Sequence, residues 1–277
     1  MNFKQALKEK VYLWQFKTKI SMKKQIFRIL SGGLMTVALL FASCHSSYKV
    51  TRVEGGRIPV DSTWDAEPDA EAMALLAPYK KQIDSVMCRV VGTAEMSMDR
   101  FRPESLLSNL IADVLREAAA EVQGTPADMG LINIGGIRNS LTEGAVTIEN
   151  VFEILPFENS LCLLTMKGAD MKQLFENIAV RGGEGVSGIQ MEITKSGKLL
   201  RALIGGKPVD DERTYTVATV DYLADGNDGM TALMQAGKRV CPKGATLRGL
   251  FAKYVERHTA AGKKITSRME GRVTIKE

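Results

Sequence analysis

Histidine is almost missing from this 277-residue chain, which has only His45 and His258. That excludes chemistry built on clustered imidazoles. A Ser–His–Asp or Cys–His nucleophile would depend on His258, which lies in a Lys/Arg/Glu-rich stretch and reads as a surface residue. No G-x-S-x-G elbow occurs. Cysteine is sparse at Cys44, Cys88, Cys162 and Cys241, and with no C-x-x-C there is neither a zinc knuckle nor a thioredoxin-type pair. The longest apolar run, Leu34 to Phe41, falls well short of the roughly 20 residues that span a bilayer. With 8 Pro and 25 Gly against 45% hydrophobic residues, a collagen-like or disordered chain is also excluded.

What the chain does have is unevenly distributed. The formal net charge of +5 suggests an anionic partner, but eight of the 37 bases and only one of the 32 acids lie in residues 1–43. Residues 44–277 are therefore close to −2, and the charge argument for nucleic-acid binding fails. From Met22, a basic start, the apolar run and Ala42-Ser43 before Cys44 have the layout of a bacterial secretory signal with a lipoprotein-type cleavage box. Residues 1–43 are accordingly read as a leader with Met22 as its start, and Cys44 as the lipidated first residue of the mature protein. Residues 44–64, with Gly55, Gly56 and Pro59, read as a tether. This places the protein in the bacterial envelope, lipid-anchored and either periplasmic or surface-facing. Cys88, Cys162 and Cys241 read as small buried hydrophobes. An oxidising compartment would also allow one disulfide, and the sequence does not choose the pair.

Hydrophobic spacing predicts helices over 67–87 and 104–122, the second on Leu106, Leu107, Leu110, Ile111, Val114 and Leu115. Further helices are expected near 148–153, 168–180 and 244–261. Strands are expected at 129–134, 160–166, 187–194, 198–204, 213–221 and 271–275. The uneven alternation implies one domain over 65–277, with a mixed sheet covered by helices rather than a regular parallel order.

Gly183-Glu184-Gly185-Val186-Ser187-Gly188 spells G-x-G-x-x-G, but a helix precedes it and a strand follows. It reads as a flexible connecting loop, not a dinucleotide fingerprint. More telling is Asn133-Ile134-Gly135-Gly136-Ile137-Arg138, where a buried strand runs into two glycines and delivers an arginine fork suited to oxyanions or hydroxyl pairs. Leu155-Pro156-Phe157 sets an aromatic before a strand. Tyr222-Leu223-Ala224-Asp225-Gly226-Asn227-Asp228-Gly229 joins another to an acidic turn. Rings and a carboxylate are what a flat base and a ribose diol require.

In this order the three segments resemble the C-terminal domain of the 5′-nucleotidase family. Glu104 to Asp113, Gly144 to Val151 and Ser187-Gly188-Ile189 add to the likeness. The resemblance implies an α+β fold, a four-layer arrangement of mixed β-sheets and helices, that binds the nucleoside part of a nucleoside 5′-phosphate. It implies that Phe157 and Tyr222 sandwich the base, that Asn133 and Arg138 approach the ribose and phosphate, and that Asp228 takes the ribose hydroxyls. A further arginine falls on Arg100, with Arg102 as its competitor. Asn227 stands where the family has glycine, and asparagine also tolerates positive φ.

Family enzymes carry a metallophosphoesterase domain whose two metals activate the attacking hydroxide. With so few histidines, no metal or other cofactor is expected in this chain, and divalent metals are expected only in a catalytic partner. The expectation is therefore a nucleotide-recognition domain that works with a separately encoded metallophosphoesterase chain in hydrolysis and salvage. The alternatives are a non-catalytic nucleoside- or nucleotide-binding envelope lipoprotein and a degenerate domain kept for structural contacts.

Overall fold

The computed structural model describes residues 19, 22, 23, 49–63 and 69–277. Most of the leader, Cys44 and both ends of the tether lie outside them. The unit from Pro68 to Glu277 is described by itself.

It opens with helix α1 (Ala70–Met87), whose first turn is capped by the Asp69 carboxylate. Strand β1 (Val90–Ala94) pairs antiparallel with β3 (Gly144–Thr147) in a two-stranded sheet. Helix α2 (Leu106–Ala118) starts at a reciprocal Ser105–Ser108 capping box and buries Leu107, Leu110, Ile111, Val114 and Leu115. A short turn, α3 (Ala120–Gln123), ends at left-handed Gly124. After β2 (Met129–Ile132) and β3 come α4 (Ile148–Ile154), β4 (Leu161–Lys167), α5 (Gly168–Val180), β5 (Gly185–Ser187), β6 (Ile189–Thr194), β7 (Leu199–Ile204) and β8 (Lys207–Pro208). Strand β9 (Thr214–Val220), α6 (Asp221–Ala224), β10 (Lys238–Val240), α7 (Leu247–Ala260) and β11 (Val273–Lys276) complete the chain.

Two larger sheets organise the core. One runs β10-β4-β9-β2-β5, the other β11-β6-β7-β8, and each mixes parallel with antiparallel pairs. Successive residues Leu161 to Leu164 of β4 are all buried, so the five-stranded sheet is covered on both faces. Helix α2 packs on β2, β5 and β9 and meets α7, while α5 touches strands of both larger sheets.

Several expectations are corrected. The strand predicted over 187–194 is two strands in different sheets, parted at Gly188. That residue has φ +76° and lies so close to the Asp128 carbonyl that a Cβ would stand 2.3 Å from it, so only glycine lets the chain switch sheets there. Helix α1 forms, but Leu75, Leu76 and Ile83 remain exposed and it buries no residue. The short pairing strands β1, β3, β8 and β10 carried no periodic signal. Cys162 and Cys241 form a disulfide, and Cys88 is free and exposed rather than buried. His258 is half-buried, its ring 4.0 Å from that of Tyr254.

Candidate functional site

Parallel β2 and β9 end at the same edge of the five-stranded sheet, and antiparallel β4 begins there, with Leu161 opposite Val220. This topology gathers distant segments. Asn133 follows β2, Tyr222 follows β9 in α6, and Phe157 and Asn159 precede β4. Together with Gly135, Gly136, Arg138 and Asp228 they line one cavity of about 380 Å³, within the usual range for small-molecule sites.

Five of the six side chains expected from the sequence thus meet in one place. Arg100 does not line the cavity. Its competitor Arg102 donates from Nε to the Gly183 carbonyl at 2.9 Å and from a guanidinium nitrogen to Glu184 at 2.6 Å.

Both rings reach the surface, Phe157 46% and Tyr222 39% exposed. Neither is spent on the core. Arg248 braces the Phe157 loop by donating to the Leu155 and Pro156 carbonyls and to Glu158, with its guanidinium 3.9 Å above the Phe152 ring.

Asp228 sits at φ +54°, the only non-glycine residue with positive φ among the described residues. Asn227 does not adopt the positive φ that asparagine would tolerate; Gly226, Asp228 and Gly229 do. Asn133 donates to Asp228 Oδ2 at 2.7 Å, and the Tyr222 hydroxyl donates to Oδ1 at 3.2 Å. The negative charge of Asp228, then burial and this hydrogen bond, push the Tyr222 phenol up, so it stays protonated and able to donate.

Sequence reasoning missed Arg181 and Glu184. The Gly183-to-Gly188 segment is no loose loop, because Glu184 is only 1% exposed. Its carboxylate accepts from Arg102, from Arg181 Nε at 2.5 Å and from the Ile134 amide at 2.6 Å. Arg181 also reaches Asp228 Oδ2 at 3.4 Å. Burial opposes the Arg181 charge, but its bond to Glu184 and the nearby carboxylates outweigh this and raise its pKa. The local signal was a glutamate between glycines, which says nothing about its partners.

Asn133 is itself buried, and a Cβ on Gly136 would stand 2.8 Å from its Oδ1. Gly136→Ala is therefore expected to destabilise the domain by roughly 1–3 kcal/mol through overpacking, measured by chemical unfolding. An unchanged midpoint would show that Asn133 moves freely.

The resemblance to 5′-nucleotidases implies a pair of catalytic metals in the family's metallophosphoesterase domain and none in this one. The residues here do not fit them, because no group of three or more His, Cys, Asp or Glu side chains among the described residues could hold a metal ion.

The family described as 5′-nucleotidase, C-terminal domain, matches residues 90–235. The chain belongs to that family. This 5′-nucleotidase C-terminal domain is similar to Protein UshA of Yersinia enterocolitica, 27% identical over 241 residues, which cover 84% of this chain and 43% of that protein. It is likewise similar to the apyrase of Aedes aegypti, 27% identical over 240 residues, covering 78% of this chain and 41% of that one. Among solved structures it is similar to the 5′-nucleotidase precursor from Thermus thermophilus, with a TM-score of 0.65 and 28% identity over 76% of this chain and 44% of that one. Haemophilus influenzae NAD nucleotidase, at 22% identity and a TM-score of 0.57, shares the fold. The chain spans about two-fifths of the length of these relatives.

Proposed function

We propose that this domain recognises nucleoside 5′-phosphates for hydrolysis and salvage, and that a separately encoded metallophosphoesterase chain supplies the metals and the hydroxide. Phe157 and Tyr222 stack on the base, Asp228 takes the ribose hydroxyls, and Asn133 and Arg138 face the ribose and phosphate, with Arg100 as a further substrate-binding arginine. The observation that carries this reading is the convergence of two half-exposed rings, a carboxylate and an arginine on one cavity. In the same reading residues 1–43 are a leader, Cys44 is lipidated, 44–64 are a tether to an envelope membrane, and 65–277 are the recognition domain.

Calorimetry and phosphate release test the two halves separately. One molecule of adenosine or AMP is expected to bind per chain. The chain alone, with added divalent metal, is expected to release no phosphate from AMP. Turnover by the chain alone would overturn the division of labour, and failure to bind either ligand would overturn the recognition role. Binding with no stimulation of any metallophosphoesterase partner would favour a receptor.

A further inference from the structure

Asp228 is held from three directions. Asn133 donates to Oδ2, Tyr222 donates to Oδ1, and Arg181 approaches Oδ2 at 3.4 Å. The first two belong to the cavity wall, whereas Arg181, at the end of α5, does not line it.

Arg181 is itself fixed. Its Nε is tied to Glu184, and a guanidinium is planar, so locking one edge fixes the direction of the others. Glu184 has no freedom either, being buried and bonded to two arginines and to the Ile134 amide of the glycine segment. One continuous path, Ile134 amide to Glu184 to Arg181 to Asp228, thus joins the glycine wall of the cavity to its acidic turn. Asp228 needs such a brace, because it occupies a left-handed position between Asn227 and Gly229, with Gly226 also at positive φ.

We propose, resting on the nucleoside reading above, that Arg181 anchored by Glu184 is a positioning residue that aims the Asp228 carboxylate at a vicinal diol and makes the site select ribonucleosides over deoxyribonucleosides. A carboxylate grips two adjacent hydroxyls only when both its oxygens face them together. Rotation about the Asp228 side chain leaves at most one well-aligned bond. Arg181 sets that rotation without lining the cavity, so its contribution is expressed through the ligand's hydroxyls and not through the base.

The test is calorimetry on the full chain with adenosine and 2′,3′-dideoxyadenosine, using wild type, Arg181→Met and Glu184→Gln, each checked for unchanged circular dichroism. Arg181 is partly exposed, so Arg181→Met keeps the test informative if the buried Glu184→Gln change impairs folding. Wild type is expected to prefer adenosine. Arg181→Met is expected to weaken adenosine binding about tenfold and to leave dideoxyadenosine within about twofold, with Glu184→Gln showing the same pattern. Equal losses for both ligands would make Arg181 a mere structural support and overturn the proposal. If wild type binds neither ligand, the nucleoside reading falls and takes the proposal with it.

Discussion

Combining Phe157→Ala with Tyr222→Ala is expected to weaken adenosine binding by between about 30-fold and about 10⁴-fold, since each ring stacked on a base contributes ~1–3 kcal/mol. Both rings are about half exposed and outside the core, so unfolding free energy should change by less than about 0.5 kcal/mol at Phe157 and fall by about 0.5–1.5 kcal/mol at Tyr222, whose bond to Asp228 is lost. The loss should therefore appear chiefly in binding. Uridine should suffer with adenosine, because every base has a face to stack. Calorimetry with both nucleosides checks this, and unchanged affinity in the double variant would remove the rings from recognition.

Breaking the Cys162–Cys241 bridge should have the largest effect on stability. The bridge closes a loop of 79 residues, and the chain-entropy account assigns such a loop about 4–5 kcal/mol. It fastens the end of β10, a three-residue edge strand that pairs only with β4, to the buried Cys162 of β4. Without it little holds that edge. Urea unfolding with and without reductant, and of the Cys162→Ala/Cys241→Ala variant, is expected to show a lower midpoint in both treated samples. The same midpoint with and without reductant would contradict the assignment. The consequence reaches the site, because Arg239 of β10 donates to Asp225 at 2.6 Å, within the turn between Tyr222 and Asp228.

The sequence made much of this legible where a signal is local and periodic. Helix α2 announces itself by six apolar positions at helical spacing, and α5 and β9 lie within a residue or so of where spacing puts them. Ordered motifs then identified a family, which brought Asn133, Arg138, Phe157, Tyr222 and Asp228 forward before any cavity was visible. What escaped depends on contacts between distant segments. The burial of Glu184 is decided by Arg102 and by the glycine turn at Ile134, so its neighbours in sequence could only suggest a loop. Gly188 looked like one glycine within a strand, because the carbonyl that makes it necessary belongs to Asp128. The disulfide pair follows from β10 lying beside β4, an adjacency with no trace in the cysteine spacing.

Asp228 also bears on how firmly a ligand can be kept. Each of its oxygens already accepts a bond from a protein donor and keeps a second lone-pair site, so an arriving sugar replaces water there with its own hydroxyls while Tyr222 and Asn133 stay in place. Exchanges of this kind gain little free energy overall. They punish a wrongly shaped guest while leaving the right one free to depart.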